Sequence, residues 1–151
     1  TRISPACRTS GCHVYLVDTN VIGEARKGAR ADPGVRAFLT ECASGAERVY
    51  LSAVTMGELR RGVELVRHRG DVAQATVLEA WLGDVLSEFA DAILPVDADV
   101  AQLWGRLRAP HHENALDKQI AATALLYDLT LVTRNTADFA GTGARLFDPF
   151  R

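Results

Sequence analysis

The sequence predicts an α/β protein built as three layers, α/β/α, around a mainly parallel central sheet of four to five strands. Three observations carry that prediction. Val14-Tyr15-Leu16-Val17 is a short uncharged run of the kind buried on both faces of a parallel sheet. Similar short runs then alternate with longer segments of helical period, in the order β-α-β-α-β-α-α-β. Residues suited to helix starts follow several of the strand-like runs directly, as Asp18-Thr19-Asn20 and Ser52 do.

In chain order, residues Thr1 to His13 are polar, contain Pro5 and Gly11, and lack periodicity. They read as an N-terminal extension, non-native or disordered, ahead of one domain spanning 14–151, and carry no part of the functional argument. After the first strand, Asn20 to Gly28 reads as a short helix. Asp32-Pro33 opens a second over Val35 to Ala43, with Pro in its first turn. Val49-Tyr50-Leu51 is a strand, and Ser52 caps a helix over Ala53 to Arg67. Gly70-Asp71 breaks that helix, and Val72 to Phe89 forms the next, with Val77, Trp81, Leu82 and Val85 at helical spacing. Ile93 to Val96 is a strand whose Pro95 places it at an edge or end. Asp97 or Asp99 caps Val100 to Ala109, and Pro110 to Asn114 is a loop. Asp117 to Tyr127 is a helix, Leu129 to Thr133 a strand, and Arg145-Leu146-Phe147 a short last one.

A chain of 151 residues, 48% hydrophobic and 24% charged, suits a single globular domain with a sizeable core. No apolar run approaches the ~18 residues of a membrane helix, and no basic-then-apolar leader is read, so a cytoplasmic location is expected. Cys7, Cys12 and Cys42 show no metal-like spacing, and Cys12-His13 has no answering ligand pair. A net charge of −2 exerts no global pull on nucleic acid, so polyanion binding would fall to local arginines or metal ions.

Four acids stand where an acid is awkward. Asp18 ends the first strand, and Asp138 follows the fourth within Thr133-Arg134-Asn135-Thr136-Ala137-Asp138-Phe139. Asp117 opens a helix whose Ala121 and Ala124 would allow close approach to the sheet. Glu58 shares a helix face with Val54, Gly62 and Leu65, expected to lean inward. Singly, each has an ordinary explanation: a cap or dipole partner for Asp18 and Asp117, an arginine-paired residue for Glu58, a loop acid for Asp138. Jointly they do not, because two carboxylates about 5 Å apart repel by roughly 3 kcal/mol at an effective dielectric near 20. Such a cluster requires protons or cations. Oxygen donors without histidine point to Mg²⁺ or Mn²⁺ rather than zinc.

With these pieces in order, the sequence resembles the PIN-domain ribonucleases, specifically the VapC-type toxins of toxin–antitoxin pairs. The likeness rests on Val17 to Ile22 with Glu24, Thr55 to Gly62, Asp117 to Ala124 and Thr133 to Phe139, and spans about Val14 to Phe147. The resemblance implies a Mg²⁺-dependent endoribonuclease with Asp18, Glu58, Asp117 and Asp138 as catalytic metal ligands and Thr133 and Asn135 as minor contributors. It implies in-line hydrolysis of RNA leaving a 5′-phosphate and a 3′-hydroxyl. Arg134, Arg60 and Arg61 are candidates for phosphate contacts. A small antitoxin laying a basic residue into the acidic pocket is implied as partner, with a homodimer expected by analogy. A groove for that antitoxin on the helices Ala53 to Arg67 and Val72 to Phe89, with Trp81 and Leu82, is weighed against plain core packing of those residues, and core packing is preferred. The loop Pro110 to Asn114 departs from the family pattern; His111 and His112 read as solvated residues ahead of RNA or metal contacts.

Other classes are an aspartate-nucleophile phosphatase, a receiver-like module, and a non-catalytic acidic module that chelates an ion or faces a basic partner. Asn20 stands where the phosphatase wants a second acid, and Arg134 where the receiver wants a lysine.

Overall fold

The computed structural model describes residues 13–45, 47–110 and 112–151, so the expectations for Thr1 to Cys12, Cys7 included, and for His111 lie outside the described residues. Five strands form one sheet: β1 (Val14–Val17), β2 (Arg48–Ser52), β3 (Ile93–Leu94), β4 (Thr130–Val132) and β5 (Arg145–Phe147). Their order is β3-β2-β1-β4-β5 and every pairing is parallel. Around the sheet stand, among the described residues, six α-helices, α1 (Thr19–Ala25), α2 (Pro33–Ser44), α3 (Ala53–His68), α4 (Val72–Glu88), α5 (Ala98–Arg108) and α6 (Ala115–Leu126), with short 3-10 turns at Gly28–Arg30 and Thr136–Phe139. The expected α/β/α architecture is the observed one. No described helix is long and apolar enough to cross a membrane.

The pleat divides the strands between two cores. Val17, Leu51 and Val132 face one side, with Val21, Val35, Phe38, Leu59, Val63, Leu82 and Val85 of α1 to α4. Leu16, Tyr50 and Leu131 face the other, with Ile120, Ala121 and Ala124 of α6. Alternate residues of β1, β2 and β4 are thus buried on opposite faces, which is why their buried positions carry no charge, whereas Arg48 at the start of β2 and Arg145 of the edge strand β5 are exposed. Ala121 and Ala124 are fully covered, as their small size and helical spacing predict.

Element boundaries differ from the expected ones for local reasons. β3 stops at Leu94 because Pro95 has no N–H to continue a ladder. Helix α1 starts at Thr19, with Asp18 rather than Asn20 as its cap. Asp97, not Asp99, caps α5 by accepting from Val100 N at 3.0 Å. Helix α6 begins two residues before Asp117, after Asn114 turns the chain at φ 51°.

The strand order carries the functional consequence. The chain leaves β1 toward β2 on one side, and β4 takes the other side, so the topology switches between β1 and β4. Crevices beyond the strand carboxyl ends at such points are where open α/β sheets bind ligands. Asp18 and Thr133 are the residues immediately after those two strands.

Candidate functional site

Asp18 is nearly sealed from solvent, at 4% exposure. Its Oδ1 accepts from Thr19 N at 2.8 Å, and its Oδ2 from Thr133 Oγ1 at 2.7 Å and Asn20 Nδ2 at 3.1 Å. The pairing of β1 with β4 brings Thr133 to Asp18 across the sequence. Asn20 completes the lock by donating to Thr133 Oγ1 at 3.2 Å and accepting Arg134 N at 3.1 Å. Burial pushes the Asp18 carboxyl above its ordinary pKa, the three hydrogen bonds pull it back, and the charge of Asp138 raises it further.

Glu58 lies half-buried on α3, its Oε1 accepting from Thr19 Oγ1 at 3.1 Å. The inward face expected for it is corrected here: Gly62 and Leu65 are exposed, Leu65 at 47%. The buried stripe of α3 is Thr55, Leu59, Val63 and Val66. One residue is about 100° of helix, so Glu58 sits at the edge of that stripe, where it reaches the start of α1. Burial raises its pKa first, the Thr19 hydroxyl opposes, and Asp18 adds to the rise.

Asp117 occupies the first turn of α6, but Asn114 holds the cap position, so the capping explanation does not apply to it. Its carboxyl is pushed up to about 6, by burial first and then by Asp18, Asp138 and Glu58, with Lys118 opposing. Repulsion from three acids outweighs the favourable helix N-terminus. Asp138 is exposed on the 3-10 turn Thr136–Phe139, which Phe139, 1% exposed, anchors in the core.

The four segments therefore meet in one electrostatic neighbourhood at the switch point. Among the described residues, no three acidic, histidine or cysteine side chains stand close enough to form a ready-made ion cage. Asp18 spends its oxygens on Thr19, Asn20 and Thr133. Carboxylate oxygens are the donors a hard divalent cation takes, and such an ion can be held by one or two of them with water completing its shell.

The model of the PIN domain family matches residues 15–144. The chain belongs to the PIN-domain family. It is 37% identical over 143 residues to Toxin FitB of Neisseria gonorrhoeae, covering 91% of this chain and 99% of that protein. It is 33% identical over 143 residues to VapC ribonuclease Y4jK of Sinorhizobium fredii, covering 91% and 98%. Among solved structures, FitAB bound to an IR36 DNA fragment matches with a TM-score of 0.76 at 33% identity, over 91% of this chain and 96% of that one.

In this PIN domain the three candidate arginines separate. Arg134 follows Thr133, and its guanidinium lies 4.7 Å over the Phe150 ring. Arg60 is engaged on the outer α3–α4 surface, with Glu79 at 2.6 Å and Glu64 at 3.4 Å. Arg61 is exposed beside the same charged surface, lining a shallow cleft with Glu64, Leu65, Arg67 and His68. Asn135 is exposed and contributes through its main chain, its N–H donating to Thr133 Oγ1 at 3.0 Å and its carbonyl accepting from Asp138 N at 3.0 Å. His112 is a solvated loop residue, 91% exposed and 3.7 Å from Glu113.

Lys118 was not among the expected site residues. It is 1% exposed, and its ammonium donates to the Asp138 carbonyl oxygen at 3.2 Å and stands 3.8 Å from Glu113 Oε1. The signal was available, since positions 118, 121 and 122 share one helical face with buried alanines. Asn20, expected only as a helix starter, is likewise part of the site.

On α3 and α4 the preferred reading, plain core packing, holds for Leu82. Leu82 is 1% exposed and belongs to the core, while the outer α3–α4 face is charged. A largely apolar cleft of about 440 Å³ lies between α1, α2 and α4, lined by Ile22, Leu39, Cys42, Trp81, Val85 and Phe89, with Glu47 and Glu88 beside them. Trp81 and Leu82 are one residue apart and so point about 100° apart, one to the cleft and one inward. The free Cys42 thiol in that cleft is pushed up to about 11 by burial and by Glu47 and Glu41, which leaves it a weak nucleophile.

Proposed function

We propose that this PIN domain is the toxin of a toxin–antitoxin pair and an endoribonuclease that hydrolyses RNA with Mg²⁺ or Mn²⁺ held by Asp18, Glu58, Asp117 and Asp138. One observation carries the reading: Asp117, from a distant segment, is partly buried beside Asp18, Asp138 and Glu58, and burial first, then those three charges, push its carboxyl up to about 6. A pocket that disfavours its own charge is one that a divalent cation completes.

When bound, such a cation supplies Lewis acidity to the phosphate and to a water. The residues do the rest. Asp18 is held rigid by Thr19, Asn20 and Thr133, so one fixed carboxylate anchors the site. Asp117, with its raised proton affinity and, among the described residues, no hydrogen bond on its carboxylate, is suited to take the proton of an attacking water. Arg134 offers a planar cation to a phosphate at the rim. A phosphate-directed contact positions RNA without reading its bases. An RNA substrate also puts the site of action in the cytoplasm.

The likeness to Toxin FitB and to the structure of FitAB bound to DNA supports an antitoxin partner for this chain. The apolar cleft beside α1, α2 and α4 suits an amphipathic segment of that partner, whose basic residue would enter the acidic pocket.

Purified protein incubated with total cellular RNA and Mg²⁺ or Mn²⁺ should yield discrete fragments with 5′-phosphate ends. A chelator should stop cleavage and added metal restore it. Cleavage that persists in chelator, or survives Asp117→Asn, rejects this chemistry.

A further inference from the structure

We propose that Lys118 is a positioning residue of this site, its buried ammonium clamping the main chain of Asp138 so that this exposed carboxylate stays within reach of the metal. The inference rests on the metal-dependent reading above and concerns how the site is held together. Fully buried lysines are uncommon, because desolvating an ammonium is costly unless it is paired. Lys118 is 1% exposed, and its partners join segments otherwise far apart. The Asp138 carbonyl oxygen, at 3.2 Å, belongs to the turn after β4. Glu113 Oε1, at 3.8 Å, belongs to the loop before α6. One ammonium therefore ties that loop, the first turn of α6 and the 136–139 turn together.

Asp138 needs such support more than Asp18 and Glu58 do. Asp18 is fixed by three hydrogen bonds and Glu58 by Thr19, whereas Asp138 is exposed and its placement follows from its backbone. That backbone is held by Asn135, by the buried Phe139 and by Lys118.

Charge and geometry predict opposite signs. A fixed cation beside the pocket repels Mn²⁺, so if charge were all that mattered, removing it would tighten metal binding. If Lys118 acts by holding Asp138, removing it loosens a ligand and weakens binding, as loss of groups that orient metal ligands does by about 10–100-fold.

The experiment is Mn²⁺ titration of the full chain by calorimetry, with thermal melts to check folding. Lys118→Met should weaken Mn²⁺ binding about tenfold or more, and Lys118→Arg, which keeps the donor, should restore most of it. In an Asp138→Asn background, Lys118→Met should change Mn²⁺ affinity by less than about twofold, since the residue it positions is already lost. Equal or tighter binding by Lys118→Met overturns the inference, as does an undiminished effect beside Asp138→Asn. Failure of Lys118→Met and Lys118→Gln alike to fold would assign the lysine to stability and overturn it too. Wild-type protein that binds no Mn²⁺ overturns the metal reading and this inference with it, whereas wild-type binding with an unaffected Lys118→Met overturns this inference alone.

Discussion

Asp117→Asn should make the metal-free protein more stable while abolishing cleavage. The Asp117 carboxyl titrates at about 6 in the folded protein, against an ordinary ~3.9 for aspartate. A rise of about 2 units is worth roughly 3 kcal/mol undiluted, and solvent screening at this half-exposed position reduces it to about 1–2 kcal/mol. Below pH ~4 both folded and unfolded chains carry the proton, and the group contributes nothing. Between pH ~4 and ~6 the unfolded chain ionises first, so stability falls as pH rises. Above ~6 the penalty is constant, and an amide does not incur it. In EDTA at pH 7.5 the variant should therefore melt about 3–6 °C above the wild type, and at pH 4 the two should melt together. Mg²⁺ at ten times its Kd should add about 1.4 kcal/mol to the wild type and less to the variant, closing the gap. Thermal melts in EDTA and in Mg²⁺ at the two pH values test all of this. A variant that melts below the wild type at pH 7.5 in EDTA would show Asp117 to be structural and refute the reasoning.

Three further outcomes are expected. RNA cleavage at limiting Mg²⁺ should rise with pH through about 6, as Asp117 loses its proton, and the midpoint should move to lower pH as Mg²⁺ is increased; a midpoint insensitive to metal would detach Asp117 from the ion. Thr133→Val removes the 2.7 Å donor to buried Asp18 and the acceptor used by Asn20 and Asn135, so it should cost about 1–3 kcal/mol in urea unfolding and lower kcat. Gly34→Ala places a Cβ 2.0 Å from the Pro149 carbonyl oxygen. It should displace the C-terminal segment, lose the Arg151 N–H bond to Asp32 and the Phe150 ring beneath Arg134, and destabilise the fold by about 1–3 kcal/mol on urea unfolding; an unchanged midpoint would place that segment's packing in doubt.

Much of this architecture was legible because its signals are local. Uncharged runs such as Val14 to Val17 mark doubly covered strands, and Ser52 and Asp32 cap the helices that follow them. Pro95 shortened β3 for want of an N–H. Asp18 was likewise visible alone, as a carboxylate at a strand end that folds inward, whereas Asp138 is exposed and stood out only through its place after a strand. The face of α3 misled because Glu58, Gly62 and Leu65 share a periodicity with the truly buried stripe, offset by one residue. Periodicity reports a face, and only packing says which face is covered.

Sequence by itself determined the parallel α/β class and the family likeness and nominated four candidate acids, because strand burial, capping and motif order are written in neighbouring residues. Only the tertiary structure decided that β4 lies beside β1, so that Thr133 reaches Asp18 across the switch point. It also decided that Arg60 faces away into Glu79 and Glu64, and that Lys118 is buried under Asp138. The physical reason is the same in each case. Strand order and helix rotation are settled by burial summed over the whole chain, and no local stretch carries that sum.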